Sequence, residues 1–222
     1  MSATCSRPGS WLPAAPGQTW ALLPFKTLQR AKSRLSDELD CQQRQALARA
    51  LCARVMEACQ RSSALDGVLV ATGSDEIARM ARRRGQLPLP DPAGRAGLPA
   101  IVDRGVALLG EAGVSRVLVL MGDLPRVSAR DVTELLAQHQ GDELLLTPDL
   151  DRRGTNAMVF APQSGLRTQL GRPGSLALHR AEARRVGLRT RVVVQPAIAF
   201  DLDDARGYRR LHTLLPPHIC PP

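Results

Sequence analysis

The chain has 222 residues, 44% of them hydrophobic, and a formal charge of +9, which fits one globular domain with a substantial core. Aromatics make up only 3%, which argues against a stacking surface for single-stranded nucleic acid, and no apolar run reaches the ~20 residues of a membrane span. The basic balance favours anionic partners, with nucleic acid, acidic lipid and small phosphorylated ligands all open.

Residues 1–17, rich in Pro, Ser, Gly and Ala and lacking a basic-then-apolar signal pattern, read as a disordered leader. The domain is expected over 18–214, followed by a flexible tail over 215–222. Trp20–Pro24 is a first strand. Leu47, Leu51, Val55 and Cys59 recur every four residues and predict an amphipathic helix from Asp40 to Cys59. Val68–Ala71 is a buried strand ending in Thr72-Gly73-Ser74-Asp75-Glu76, with Ser74 as N-cap of the next helix. Pro88 to Gly97 reads as a Pro/Gly-rich loop before a helix over Arg95–Leu109. Val117–Met121 is the strongest strand pattern, suited to a central parallel position. It runs into Gly122-Asp123-Leu124-Pro125, after which Ser128 and Asp131 form a capping box for a helix to His139. Strands at Leu144–Leu146, Met158–Phe160 and Arg191–Gln195 and helices at Leu176–Val186 and Asp203–Leu211 complete the pattern. This alternation predicts a single α/β domain, a Rossmann-like, mostly parallel sheet flanked by helices.

The five cysteines show no C-x-x-C spacing, and an odd count without a secretory signal points to reduced thiols in a cytoplasm. Cys52 and Cys59 share a helix face as small core residues. The four histidines lack metal-ligand spacing.

Of the 30 Lys and Arg residues only two are lysines, Lys26 and Lys32, both in the loop after the first strand. An ammonium and a guanidinium are not equivalent at a phosphate, so this loop is a candidate for handling a nucleotide. Ligands of open α/β sheets sit beyond the carboxyl ends of the strands. Four polar loops are expected there: the lysine loop, Thr72–Asp75, Gly122–Pro125 and Asp201–Asp204. Asp123, at the end of a central strand, is placed to hold Mg²⁺ against a nucleotide phosphate, and Asp201 with Asp203 would supply the opposing carboxylates. Asp204 suits the first turn of the last helix. Gly154-Thr155-Asn156 offers amides and a hydroxyl, and Gly174-Ser175 opens a helix whose N-terminus can receive phosphate.

The order Pro24-Phe25-Lys26, Ala31-Lys32-Ser33-Arg34-Leu35, Gly122-Asp123-Leu124-Pro125, Gly154-Thr155-Asn156-Ala157, Gly174-Ser175…His179 and Asp201-Leu202-Asp203 resembles the 2-phospho-L-lactate guanylyltransferase family of coenzyme F420 biosynthesis. The resemblance spans about Ala21 to Arg210. It implies a nucleotidyltransferase fold, Mg²⁺, GTP as donor, pyrophosphate as leaving group and a product passed to a deazaflavin acceptor enzyme. It makes Lys26, Lys32, Arg34 and Asp123 catalytic. It puts Lys26, Thr72, Gly97 and Leu98 at the nucleotide, and Asp123, Asp203 and Asp201 at the metal. It puts Thr155, Asn156, Gly174 and Ser175 at the phosphorylated acid, with Arg152 and Arg172 as added guanidiniums beside them. The acids of the family are 2-phospho-L-lactate, phosphoenolpyruvate and 3-phospho-D-glycerate.

The chain departs from the family pattern with Pro99 after Gly97-Leu98, with Arg152 and Arg153 before Gly154, and with Arg172 in a longer loop. The three arginines suggest a shift towards 3-phospho-D-glycerate. Competing readings are another nucleotidyltransferase, disfavoured by the absence of glycine between Ala21 and Asp40; a metal-dependent glycosyltransferase using Asp149-Leu150-Asp151 or Asp201-Leu202-Asp203 as a D-x-D pair; and a basic nucleic-acid-binding module, disfavoured by dispersed arginines.

Overall fold

Seven consecutive buried residues make β1 (Thr19–Phe25) a strand that must be covered on both faces. The structure, a computed structural model, describes residues 12–25, 28, 32–91 and 97–214, except the side chains of 212–214. β1 pairs in parallel with β2 (Gly67–Thr72) on one side and β4 (Arg116–Leu120) on the other. β3 (Leu87–Pro90) forms one edge. Beyond β4 lie β6 (Thr155–Phe160), β5 (Glu143–Pro148) and the edge strand β7 (Arg189–Val192). The sheet order is β3-β2-β1-β4-β6-β5-β7, and only β6 runs against its neighbours. That reversal brings the start of β6, Thr155-Asn156, to the edge where the parallel strands end.

Side chains alternate across the sheet. Ala21, Leu23 and Phe25 pack against α1 (Cys41–Gln60), α2 (Asp75–Arg83) and α4 (Ala129–Ala137). Trp20 and Leu22 pack against α3 (Gly97–Glu111), with α5 (Ser175–Arg185) on the same face. α1 starts where expected: the Asp40 side chain accepts from the Gln43 amide at 2.8 Å, and the Asp40 amide donates to Gln43 Oε1 at 2.9 Å. Its stripe Leu47, Leu51, Val55 and Cys59 is buried throughout. Ser74 and Ser128 cap α2 and α4 as their sequences predict.

Four expectations need correction. The packed chain begins before residue 18, because Leu12 is buried in the α3-side core; residues 1–11 and the tail over 215–222 lie outside the described residues. Within the expected loop after Pro88 stands β3, which its two prolines disguise. Proline removes a ladder donor and is therefore tolerated at an edge, the position β3 occupies. The loop Asp201–Asp204 does not follow a strand: Ile198 and Ala199 before it lie in a helical turn, α6 (Pro196–Ala199), opened by a proline that needs no donor there. Finally, β7 ends at Val192, short of Gln195.

A separate apolar cluster lies beneath the carboxyl edge. Leu35 and Leu39, Leu47 and Leu51 of α1, Phe200 and Leu202, and Tyr208 and Leu211 of α7 (Ala205–Leu214) pack together. It docks two polar segments, 32–36 and 201–204, onto the same helix. Leu35 is fully buried. Leu35→Ala should therefore cost about 3 kcal/mol in urea unfolding, the usual penalty for a large-to-small change at a closed site. A loss below about 1 kcal/mol would show that this cluster does not hold the segment.

Candidate active site

At the carboxyl edge a cavity of about 880 Å³ opens between the ends of β1, β2 and β4 and the start of α3. Its floor is formed by Phe25, Gly122 and Asp123, one flank by Lys32, Arg34 and Asp203, and the other by Thr72, Gly97 and Leu98. Gly122 is obligatory in this floor: a Cβ there would land on the Phe25 ring.

Lys32 joins the two acidic segments. Its Nζ donates to Asp123 Oδ2 at 2.9 Å and to Asp203 Oδ1 at 3.2 Å. The Lys32 side chain is only 10% exposed, against 21% for Asp123 and 52% for Asp203, so the ammonium is enclosed while the acidic rim stays open. Lys32 holds a left-handed backbone, φ 54° and ψ 37°, a conformation that costs a non-glycine residue about 1 kcal/mol. The paired carboxylates offset that cost. Arg34 reaches Asp203 at 3.9 Å from an exposed position, a pair worth little in solvent. The backbone adds a clamp, with the Leu202 amide donating to the Asp123 carbonyl at 3.0 Å.

Asp201 completes the group: Asp123, Asp201 and Asp203 each offer a carboxylate oxygen, all within 4.8 Å of one another. Burial pushes the Asp123 carboxyl up and the Lys32 ammonium only partly restores it. Asp201 is pushed up to about 6, first by burial and then by the charges of Asp123 and Asp203. Desolvation also opposes the Asp203 carboxylate, yet Lys32, a hydrogen bond with Asp123 and Arg34 together hold its pKa below the usual range. Burial likewise works against the Lys32 ammonium, but its two carboxylate partners raise its pKa, so it stays charged. Three carboxylates thus face one ammonium. The hard oxygen donors and the surplus negative charge fit a divalent cation such as Mg²⁺.

The sequence-predicted residues divide in two. Lys32, Arg34, Thr72, Gly97, Leu98, Asp123 and Asp203 line the one cavity, and Asp201 stands beside it. Lys26 lies outside the described residues. Those expected at the acid are not on that wall. Asn156 is buried, and its Nδ2 donates to the carbonyls of Ile198 (3.0 Å) and Ala199 (3.3 Å) and to Asp201 Oδ1 (3.3 Å), so it positions the acidic segment. Thr155 Oγ1 lies 3.0 Å from His179 Nδ1, and His179 Nε2 accepts the Gln169 amide at 2.8 Å. The second bond fixes the neutral tautomer with its proton on Nδ1, where Thr155 Oγ1 and the Ser175 backbone stand as partners. Gly174 holds φ 70° and Ser175 is buried at the start of α5, its amide donating to the Arg172 carbonyl at 3.1 Å. Arg152 and Arg172 are exposed; Arg172 donates to Gln169 Oε1 at 2.6 Å. Asp149, in the first of the two suggested D-x-D pairs, accepts from the amides of Arg153 and Gly154 (both 2.8 Å) and so forms a turn between β5 and β6.

Two participants carry no signal in the sequence. Gly171 lines the cavity wall, two residues beyond Gln169, whose amide is held by His179. Asp91 follows the disguised strand β3 and lines the cavity opposite the acidic cluster.

A half-open, mostly parallel sheet with a nucleotide-sized cavity and a carboxylate cluster at its carboxyl edge defines a nucleotidyltransferase. A solved nucleotidyl transferase from Methanothermobacter thermautotroptrophicus superposes with a TM-score of 0.61 over 89% of this chain and 97% of that one, at 15% identity, a likeness of fold alone. The chain belongs to the family described as guanylyl transferase CofC like, whose model matches residues 19–212. Among its relatives, a phosphoenolpyruvate guanylyltransferase of Conexibacter woesei is 36% identical over 199 residues, 89% of this chain and 88% of that one. A 3-phospho-D-glycerate guanylyltransferase of Phenylobacterium zucineum is 31% identical over 82% of this chain and 84% of its own.

The site generates two tests. Lys32→Met strips the carboxylates of their counter-ion, so without divalent cation the variant should lose on the order of 2 kcal/mol, about 4–8 °C in melting temperature. Added Mg²⁺ should restore more of the variant's stability than it adds to the wild type. Equal responses to Mg²⁺ in thermal unfolding would overturn this account. His179 provides the pH test. It is fully buried, and burial depresses its pKa from 6.5 to about 4. Between those values the unfolded chain takes up a proton that the folded chain refuses, so stability falls as pH drops below 6.5 and is insensitive to this group above it. Between pH 7 and pH 5 the wild type should lose about 2 kcal/mol more than His179→Gln in urea unfolding.

Proposed function

We propose that this protein transfers GMP from GTP to phosphoenolpyruvate, releasing pyrophosphate, as a step in making coenzyme F420. The carrying observation is the Lys32–Asp123–Asp203 cluster at the cavity floor, which supplies the charge pattern that a nucleoside triphosphate and its metal require. Phosphoenolpyruvate is favoured among the acids because it names the Conexibacter relative at 36% identity, above the 31% of the 3-phospho-D-glycerate enzyme. The motive for 3-phospho-D-glycerate weakens: Arg152, Arg153 and Arg172 are exposed, and none of them lies on the cavity wall.

In the reaction a non-bridging oxygen of the acid's phosphate attacks the α-phosphorus of GTP, and the bond from that phosphorus to the α,β-bridging oxygen breaks. The attacking phosphate is already anionic, so no residue has to remove a proton. That agrees with a cavity wall on which no described histidine stands. Asp123, Asp203 and Asp201 would hold Mg²⁺, which supplies charge stabilisation at the α-phosphate and the departing pyrophosphate. Lys32 and Arg34 would place positive charge where the equatorial oxygens gain negative charge. Thr155, through His179, supports the 169–171 segment whose Gly171 stands on the cavity wall. Asn156 fixes the angle at which Asp201 is presented.

Pyrophosphate release should be measured with Mg²⁺, offering GTP, ATP, CTP and UTP against phosphoenolpyruvate, 2-phospho-L-lactate and 3-phospho-D-glycerate, with the deazaflavin acceptor enzyme coupled to trap the labile product. Acid-dependent release from GTP, fastest with phosphoenolpyruvate and lowered about 10²–10³-fold by Asp123→Asn, is expected. Release from no pair by folded protein would overturn the reading; a clear preference for another acid would overturn only the substrate assignment.

A further inference from the structure

The guanine of the donor needs a reader, and among the described residues the cavity wall carries one carboxylate away from the acidic cluster. Asp91 lies one residue beyond β3, and its amide donates to the Thr72 carbonyl at 2.9 Å, continuing the β2–β3 ladder. Leu87, Leu89 and Asp91 alternate onto the face that α3 covers, where Leu89 is buried in the core. Ala71, Leu98 and Ile101 line the same end of the cavity, giving a narrow apolar slot with one carboxylate at its rim. Asp91 is half-buried, and among the described residues nothing pairs with its side chain. Thr72, the other polar side chain there, already accepts the Ser74 amide at 3.1 Å.

Distance and chemistry agree. β3 and β4 are three strand spacings apart in the order β3-β2-β1-β4, so the strands that lead to Asp91 and Asp123 stand about 14 Å apart across the sheet. That interval accommodates a base and ribose between the slot and an α-phosphate at the acidic cluster. A carboxylate accepts two hydrogen bonds side by side. Guanine alone among the common bases presents two adjacent donors, N1–H and the 2-amino group, on one edge. Adenine and cytosine would set a ring nitrogen lone pair against the carboxylate, and uracil would flank its single donor with carbonyl oxygens.

We infer that Asp91 is the specificity-determining residue for guanine, its carboxylate accepting N1–H and the 2-amino group of the donor nucleotide. This rests on the guanylyl-transfer reading above. Binding of GTP, ITP and XTP with Mg²⁺ is measured by calorimetry without acid, so the result does not depend on turnover. Inosine lacks the 2-amino group, so the wild type should bind ITP about 10- to 100-fold more weakly than GTP. Asp91→Asn converts one acceptor into a donor and so suits xanthine, which offers N1–H beside a carbonyl; XTP should overtake GTP in this variant. A contact to ribose or a structural role would weaken all three nucleotides alike and overturn the assignment, as would equal wild-type affinity for GTP and ITP. Wild type that turns over GTP while Asp91→Asn keeps the order of affinities overturns only the role of Asp91. Wild type that binds no nucleotide and releases no pyrophosphate sinks the guanylyl-transfer reading as well.

Discussion

One ammonium organises this protein. Lys32 ties Asp123, at the end of a central strand, to Asp203, 80 residues further along the chain, and everything at the carboxyl edge is arranged so that this contact can form. Two carboxylates brought together in partial burial repel and lose solvation, and the cost is tolerable only with a cation between them. Lysine suits that position better than arginine because its charge is compact and its donors diverge, so one Nζ serves two acceptors from different segments. The left-handed backbone at Lys32 is part of the same bargain, a local strain accepted where surrounding structure over-determines it.

The supporting structure explains why such a charge cluster stays put. The apolar cluster of Leu35, Leu39, Leu47, Leu51, Phe200 and Leu202 sits directly under the two polar segments, so Arg34, Asp201 and Asp203 are each flanked in sequence by a buried leucine or phenylalanine. Leu202 stands between Asp201 and Asp203 and faces inward; its neighbours on either side therefore face the site. Its amide bond to the Asp123 carbonyl and the three acceptors of Asn156 Nδ2 fix the segment against β4 and β6. The reversed strand β6 matters here, since a parallel strand in that place would carry Asn156 to the far edge of the sheet.

Much of this was legible in the sequence because it is encoded locally. The stripe of α1, the serine caps of α2 and α4 and the apolar run of β4 all depend on near neighbours, and each appears where its pattern predicts. What escaped depends on placement in the sheet. β3 reads as a loop because prolines are compatible with a strand only at an edge, and edge position is a property of the finished fold. Ile198–Phe200 has strand composition, yet Pro196 and the demand that Asp201 meet Asn156 favour a helical turn. At the site, Asp123 and Asp203 were recognisable as acidic groups at element ends, and Lys32 as an isolated lysine. That the lysine lies between them is a contact over 91 and 171 residues, which no local spacing encodes. His179 was hidden for the opposite reason: its work is entirely internal, holding Thr155 and the 169–171 segment together.

The arginines illustrate how composition and site diverge. The charge of +9 comes from arginines spread over the helices, many of them exposed and in surface pairs such as Arg61–Glu57 and Arg130–Glu134, which contribute little to stability. Their collective effect is long-range: a positive field draws polyanionic substrates towards the molecule and weakens with salt. Among the described residues the cavity has the reverse local balance, with Asp91, Asp123, Asp201 and Asp203 in or beside it against Lys32 and Arg34. A triphosphate attracted by the whole protein meets repulsion at the site unless a divalent cation arrives with it. Under the proposed function, this opposition of global and local charge would favour the metal complex of the nucleotide over the free phosphates that the surface concentrates.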